Sequence, residues 1–275
     1  MTTWTEAKEP QLDAITPMGW LRVLFRSAIL IVLVFGCLLI LLIVRLIERP
    51  IWGLGRPMTP YITQFVCRNA LRVLRLPLNL TGVPLQGRGA VVANHTSWLD
   101  IFVLNASKRI YFVSKAEVAG WPGIGWLARA TGTLFIKRER GQAQAQTKTM
   151  QVRLLTGHEL LFFPEGTSTD GQQVLPFKTT LFASFMASEL RDFLQVQPVS
   201  VVYHPPQGQP KSFYGWWGEM VFATHLLRTL AARSQGSIDV IYHPALKVAE
   251  FTDRKALAKA AELAVRSGHE SLLTR

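Results

Sequence analysis

The sequence predicts an α/β protein: a mixed central sheet flanked by helices, preceded by an N-terminal membrane-anchoring helix and an amphipathic interfacial helix. Three observations lead there. An apolar run near the start is longer than a core helix needs, and from about residue 77 short β-branched runs alternate with helical patterns. The composition, 49% hydrophobic against 17% charged, excludes a disordered chain. The 275 residues are enough for one packed domain plus an anchor. We divide them into an N-terminal tail (1–20), a membrane-anchoring helical region (21–80) and an α/β domain (81–275).

Residues 27–44, SAILIVLVFGCLLILLIV, carry no charge, and the apolar character continues through Leu46 and Ile47. At about 1.5 Å per residue this run is long enough for a bilayer core of about 30 Å. A buried core helix is the competing reading. The following RLIERPIW offers no small-residue cleavage site, so the segment is expected to persist in the mature protein. Pro50 is expected to end the helix. Arg22 and Arg26 precede the run, and Arg45, Arg49, Arg56, Arg68, Arg72 and Arg75 follow it, which favours a cytoplasmic C-terminal side.

A second helix is expected over 61–76. Ile62, Phe65, Val66, Ala70, Val73 and Leu76 make an apolar stripe, with Leu71 outside it, and Arg68, Arg72 and Arg75 make a basic one. Such a helix suits a lipid headgroup region, its arginines on anionic lipid, or else covers a core. The chain carries 30 Lys and Arg against 18 Asp and Glu, a net charge of +12 that attracts polyanions. No zinc-finger spacing, RNP-like motif or long basic run is present, so the expected partner is membrane lipid and no nucleic acid. Two isolated cysteines, Cys37 and Cys67, are too few for a disulfide scaffold or a four-ligand zinc site. No metal is expected.

Beyond residue 77, strands are expected at 89–93, 109–113, 133–137, 159–163, 196–203 and 237–242. Helices are expected at 98–105, 125–130, 143–155, 177–191, 225–232 and 254–272.

The most informative stretch is AVVANHTSWLDIF, residues 90–102. A β-branched run gives way to Asn94 and His95, and then to a helical pattern. Five residues apart, His95 and Asp100 lie on different faces of a regular helix, so they meet only if His95 precedes it and turns back. An Asp on one ring nitrogen then leaves the other as a general base. The spacing of Ser97 and Asp100 also fits a capping box, in which Asp100 serves only backbone amides. In LLFFPEGTSTDG, 160–171, an apolar run opens into Pro164, Glu165, Gly166 and Thr167, a turn whose amides and hydroxyls can approach a ligand. In GTLFIKRER, 132–140, Lys137, Arg138 and Arg140 offer a phosphate or carboxylate site, or a solvated rim.

Other patterns carry less. Gly123, Gly125 and Ala128 follow Pro122 where a dinucleotide fingerprint needs a strand, and no G-x-S-x-G elbow or phosphate loop occurs. Ser97 and Ser168 therefore lack a hydrolase setting. His158, His204, His225, His243 and His269 lack metal-ligand spacing. The aromatic run FYGWWGEM, 213–220, suits either a core or a membrane interface.

Together these segments resemble the glycerolipid acyltransferase family, which includes bacterial lysophosphatidate acyltransferases. Four blocks in order carry the resemblance: Asn94, His95 and Asp100; Gly132, Phe135, Ile136, Lys137 and Arg138; Phe163, Pro164, Glu165, Gly166 and Thr167; and an apolar strand, 196–202, around Pro198. The resemblance implies that His95, oriented by Asp100, deprotonates an acceptor hydroxyl, which attacks an acyl thioester directly. Asn94 belongs to the same block, Glu165, Gly166 and Thr167 would help form the acceptor or oxyanion region, and Lys137 and Arg138 would hold an anionic headgroup or the donor's phosphates. It implies no cofactor, with acyl-acyl carrier protein or acyl-CoA as donor substrate. The partners it implies are a lysolipid acceptor and membrane lipids, with the acyl carrier protein where that is the donor. The place it implies is the bacterial inner membrane, with the catalytic domain on the cytoplasmic face.

One departure from the family pattern concerns the acceptor. Members acting on lysophosphatidate commonly carry arginine directly after Glu-Gly-Thr, where this chain has Ser168. EGTSTDG, the following VLPFK with Lys178, and YGWWGEM with His225 are similar to the branch that acylates lyso-ornithine lipid. That acceptor is expected, with lysophosphatidate as the alternative. A non-catalytic membrane-bound lipid-binding module and a thioester hydrolase are the readings from other classes.

Overall fold

The apolar run lies within one helix, α1 (Pro17–Trp52), of a computed structural model that describes residues 4–7, 9–10, 14–87, 89–137 and 143–274. Thr16 starts the helix: its hydroxyl accepts from the Gly19 amide, and Pro17 supplies a preset φ where no N–H is needed. The helix runs past the expected stop at Pro50. That proline lies so near the end that a single bond is forfeited before the Gly53 amide closes on Arg49 O at 3.0 Å. Leu24, Phe25, Val32, Leu39 and Leu46 are exposed along α1, whereas Val23 and Leu41 are buried.

Helix α2 (Thr59–Leu74) packs against α1 and against α3 (Asp100–Ser107). Cys67, Ala70, Leu71 and Leu74 are buried on it, while Phe65 is 55% exposed. The buried face is therefore rotated from the stripe read in the sequence, and it includes Leu71, because two helices rather than one cover it. Arg68 does not face outward unpartnered: its Nε donates to Ala106 O at 2.8 Å. Arg72 is exposed and pairs with Asn69.

The strands are β1 (Leu78–Thr81), β2 (Gly89–Ala93), β3 (Tyr111–Lys115), β4 (Leu134–Ile136), β5 (Leu160–Phe162), β6 (Gln195–His204), β7 (Ser237–Tyr242) and β8 (Leu246–Lys247). They form one mixed sheet ordered β1-β7-β6-β2-β5-β3-β4, with β8 also on β6. Strands β2 to β6 are mutually parallel, β7 and β8 run antiparallel to β6, and β1 is parallel to β7. The sheet thus reaches back to Leu78, inside the stretch assigned to the helical region. β1 is a largely exposed edge strand and lacks the apolar run that signals an inner one.

The flanking helices are α3, α4 (Ile124–Thr131), α5 (Ala143–Leu155), α6 (Ser188–Arg191), α7 (Phe222–Ala231) and α8 (Arg254–Leu273). No continuous helix forms over 177–191. A 3-10 turn at 181–186 and the short α6 stand there, because the Phe177 amide is taken by Glu262 and the Lys178 amide by Pro164 O. Along β2 alternate residues feed two cores: Val91 and Ala93 pack with Leu99, Val103 and Val201, and Ala90 and Val92 pack with Phe162, Phe182 and Val265. The chain leaves the carboxyl ends of β2 and β5 on the same edge of the sheet, where open α/β sheets place their sites.

Candidate active site

Leaving β2, Asn94 extends the sheet with its side chain. Its Nδ2 donates to Val201 O and its Oδ1 accepts from Val201 N, both at 2.8 Å, so a buried carboxamide replaces a rung of the β2–β6 ladder. The next residue, His95, is thereby fixed at the strand end, before the turn at 98–99 that leads into α3.

His95 Nδ1 lies 2.7 Å from Asp100 Oδ2. The same oxygen accepts from the amides of Thr96 at 2.9 Å and Ser97 at 3.1 Å, so the capping role and the histidine contact coexist on one carboxylate. Asp100 Oδ1 accepts from the Tyr203 hydroxyl at 2.6 Å. A fully buried carboxylate with four donors around it is compensated as an anion. The His95 ring stacks on Phe163, with centroids 4.0 Å apart and planes 9° apart, and its side chain keeps 21% exposure. Its Nε2 has no protein partner among the described residues, so one ring nitrogen of a fixed imidazole stays open.

The loop after β5 braces this histidine. Glu165 is 1% exposed; Oε1 accepts from the His95 amide at 2.7 Å and Oε2 from the Leu175 amide at 2.8 Å. Burial pushes its carboxyl up to about 8, although the two amides pull the other way; the neighbouring Asp100 charge adds to the rise. Gly166 turns the chain at φ 73°, its amide closing on Phe163 O at 3.1 Å. The Ser168 hydroxyl donates to Trp216 O at 2.5 Å, Trp216 N donates to Thr96 O at 2.9 Å, and Thr169 N donates to His95 O at 3.0 Å. Gly171, at φ 78°, leaves no room for a Cβ, which would lie 2.6 Å from the Thr96 methyl.

The structure therefore brings together Asn94, His95, Asp100, Glu165, Gly166, Thr167 and Ser168. Glu165, Thr167 and Lys178 line one open cleft of about 490 Å³. Lys137 stands apart, exposed after the edge strand β4, with its carbonyl accepting from Gln146. Arg138 lies outside the described residues. Of the aromatic run, Phe213, Tyr214 and Trp217 are buried core, and the motif's backbone serves the site through Trp216. His225 is a buried histidine whose Nδ1 accepts from Trp98 Nε1 at 2.9 Å; burial lowers it to about 4, so it is neutral.

Two contributors escape a reading of the sequence. Tyr203 sits 103 positions from Asp100, and only the pairing of β6 with β2 brings it there. Trp4 reaches the cleft from the N-terminal tail, with no local motif to mark it.

The acyltransferase family pattern matches residues 78–202. The lyso-ornithine lipid O-acyltransferase of Rhodobacter capsulatus is 53% identical over 265 residues, 96% of each chain. The enzyme of that name from Pseudomonas aeruginosa is 35% identical, covering 90% of this chain and 94% of its own. A 1-acyl-sn-glycerol-3-phosphate acyltransferase of Neisseria gonorrhoeae is 30% identical over 64% of this chain and 68% of its own. The crystal structure of the 1-acyl-sn-glycerophosphate acyltransferase of Thermotoga maritima shares the fold, with a TM-score of 0.66, 21% identity, and coverage of 94% of this chain and 97% of that one. The chain, with His95 just past the end of its central strand and Asp100 at the start of the next helix, thus belongs to the acyltransferase family.

Proposed function

We propose that this protein transfers a fatty acyl group from an acyl thioester to the hydroxyl of a lyso-ornithine-type aminolipid in membrane lipid synthesis. The observation that carries the mechanism is the 2.7 Å contact of His95 Nδ1 with Asp100, which leaves Nε2 open. Nε2 takes the proton of the acceptor hydroxyl while that oxygen attacks the thioester carbonyl. The C–S bond then breaks, and the imidazolium returns the proton to the leaving thiolate. Asp100 holds the ring tautomer and stabilises the imidazolium. Glu165 and Asn94 keep His95 in place through its backbone. Thr167 and Lys178 face the acceptor, and Lys137 with Arg138 serves the donor's phosphates.

The acceptor follows from the relatives and from Ser168. Its hydroxyl is committed to Trp216 O, and no guanidinium stands at that position to grip a phosphate. The net charge of +12 suits an acidic acyl carrier protein as donor, with acyl-CoA as the alternative.

The contacts of α1 bear on the place of action. Arg26 donates to Leu230 O at 2.7 Å and Ala232 O at 2.8 Å, while Glu48 accepts from the amides of Met58 at 2.6 Å and Thr59 at 2.9 Å. Both ends of the apolar stretch are thus held by the same protein body. This supports a helix lying in one leaflet, its exposed apolar side in lipid, and the arginines flanking the apolar run favour the cytoplasmic face of a bacterial inner membrane.

The test is purified enzyme in detergent with a labelled acyl donor, offering lyso-ornithine lipid and lysophosphatidate side by side. Transfer mainly to the aminolipid is expected, and His95→Ala lowers it by on the order of 10² or more. Transfer mainly to lysophosphatidate would assign the phosphate to Lys178 or Lys137 and reject the aminolipid.

A further inference from the structure

We infer that the N-terminal segment carrying Trp4 and Glu6 forms the headgroup wall of the acceptor cleft and selects a lysolipid whose headgroup bears both a carboxylate and an ammonium. This rests on the placement of the acceptor beside Glu165. The cleft is lined from the tail by Trp4 and Glu6 and from the catalytic loops by Glu165, Thr167, Pro176 and Lys178.

The segment is docked, since its contacts reach both halves of the site. Trp4 N donates to Thr167 Oγ1 at 3.4 Å, its indole meets Trp217 edge-on at 6.0 Å, and Trp217 Nε1 donates to Ala7 O at 3.2 Å. Trp217 belongs to the same aromatic run as Trp216, which bonds Thr96 and Ser168. The tail is therefore tied to the loops on either side of His95.

Trp4 is only 7% exposed, yet its indole N–H has no acceptor among the described residues. A buried donor without an acceptor is costly, and a ligand oxygen entering beside Trp4 would supply one. The charges supply the rest: Glu6 places one anion in the cleft and Lys178 one cation. An N-acylated ornithine headgroup presents the complement, a carboxylate for Lys178 and the Trp4 N–H and a side-chain ammonium for Glu6. A phosphomonoester has nothing for Glu6 to bind and is repelled by it, so the same residue that attracts one acceptor discriminates against the other.

The experiment uses the full chain in detergent and measures kcat and KM for lyso-ornithine lipid and for lysophosphatidate with Glu6→Gln, Glu6→Lys and Trp4→Phe. Glu6→Gln is expected to raise KM for the aminolipid about three- to tenfold with kcat nearly unchanged, as for a partly exposed charge pair. Glu6→Lys should raise it further and lower KM for lysophosphatidate, narrowing or reversing the preference. Trp4→Phe keeps the ring and loses the N–H, and should also act on the aminolipid KM. Because Glu6 is exposed, its variants fold whatever becomes of the Trp4 variant. If the native enzyme prefers the aminolipid and neither Glu6 variant moves the KM ratio, the inference falls alone. If the native enzyme ignores the aminolipid, the acceptor reading falls and the inference with it.

Discussion

Asp100 carries the largest share of the site's polar chemistry, and its four donors have three different origins. Thr96 and Ser97 are local, His95 depends on where the helix begins, and Tyr203 comes from another strand. Burial and the Asp100 charge hold the Tyr203 hydroxyl well above its ordinary range, so it stays a donor at all working pH values. Tyr203→Phe is expected to lower kcat several-fold with little change in KM, and to cost about 1–2 kcal/mol of stability, read by steady-state kinetics and thermal unfolding. Glu165 offers a pH test. Its folded carboxyl titrates near 8 against a normal value of 4.5, so between those values the folded protein keeps a proton that the unfolded chain has released. Its contribution is greatest below about pH 4.5 and is lost as pH rises through 8. Glu165→Gln cannot titrate, so its Tm deficit relative to the native protein should shrink between pH 5 and pH 8; a constant deficit would show the carboxyl to be ionised throughout.

Helices α1 and α2 meet at a polar joint. Glu48, fully buried, accepts from the amides of Met58 and Thr59 and from the Thr59 hydroxyl at 2.8 Å, capping the start of α2 from the preceding helix. No residue at the N-terminus of α2 caps it with its own side chain, so this carboxylate does the work usually done locally. Glu48→Ala strands three buried or half-buried donors and should destabilise the protein by about 2–4 kcal/mol, read as a lowered Tm in detergent. Glu48→Gln keeps an acceptor and should recover part of that. The sequence shows Glu48 only as a charge after an apolar run; its function depends on where the chain returns.

For the molecule as a whole, the decisive question is how α1 meets the bilayer. Trp20 and Trp52, both about half exposed, mark its two ends. Single Trp20→Cys and Trp52→Cys substitutions in a Cys37→Ser background should both react with a membrane-impermeant maleimide from the same side of sealed vesicles. Reaction from opposite sides would establish a spanning helix and displace the one-leaflet arrangement. Cys67 does not interfere, since burial raises its thiol to about 12.

The mixed sheet, its inner strands and the residues of the histidine and Glu-Gly-Thr blocks were legible in the sequence, because β-branched runs, helical spacing and short motifs are local properties, whereas the edge strand β1 and the break in the helix expected over 177–191 were not. The apolar helix was legible too, though not its passage through Pro50. What the chain alone left open was decided by contacts distant in sequence. The two readings of Asp100 were equivalent until the turn at 98–99 placed His95 over it, and both then held. Tyr203, Glu48 and Trp4 act on partners far away along the chain or in another element, so no spacing encodes them. Local interactions specify which elements form, whereas the sheet order specifies which side chains share a site.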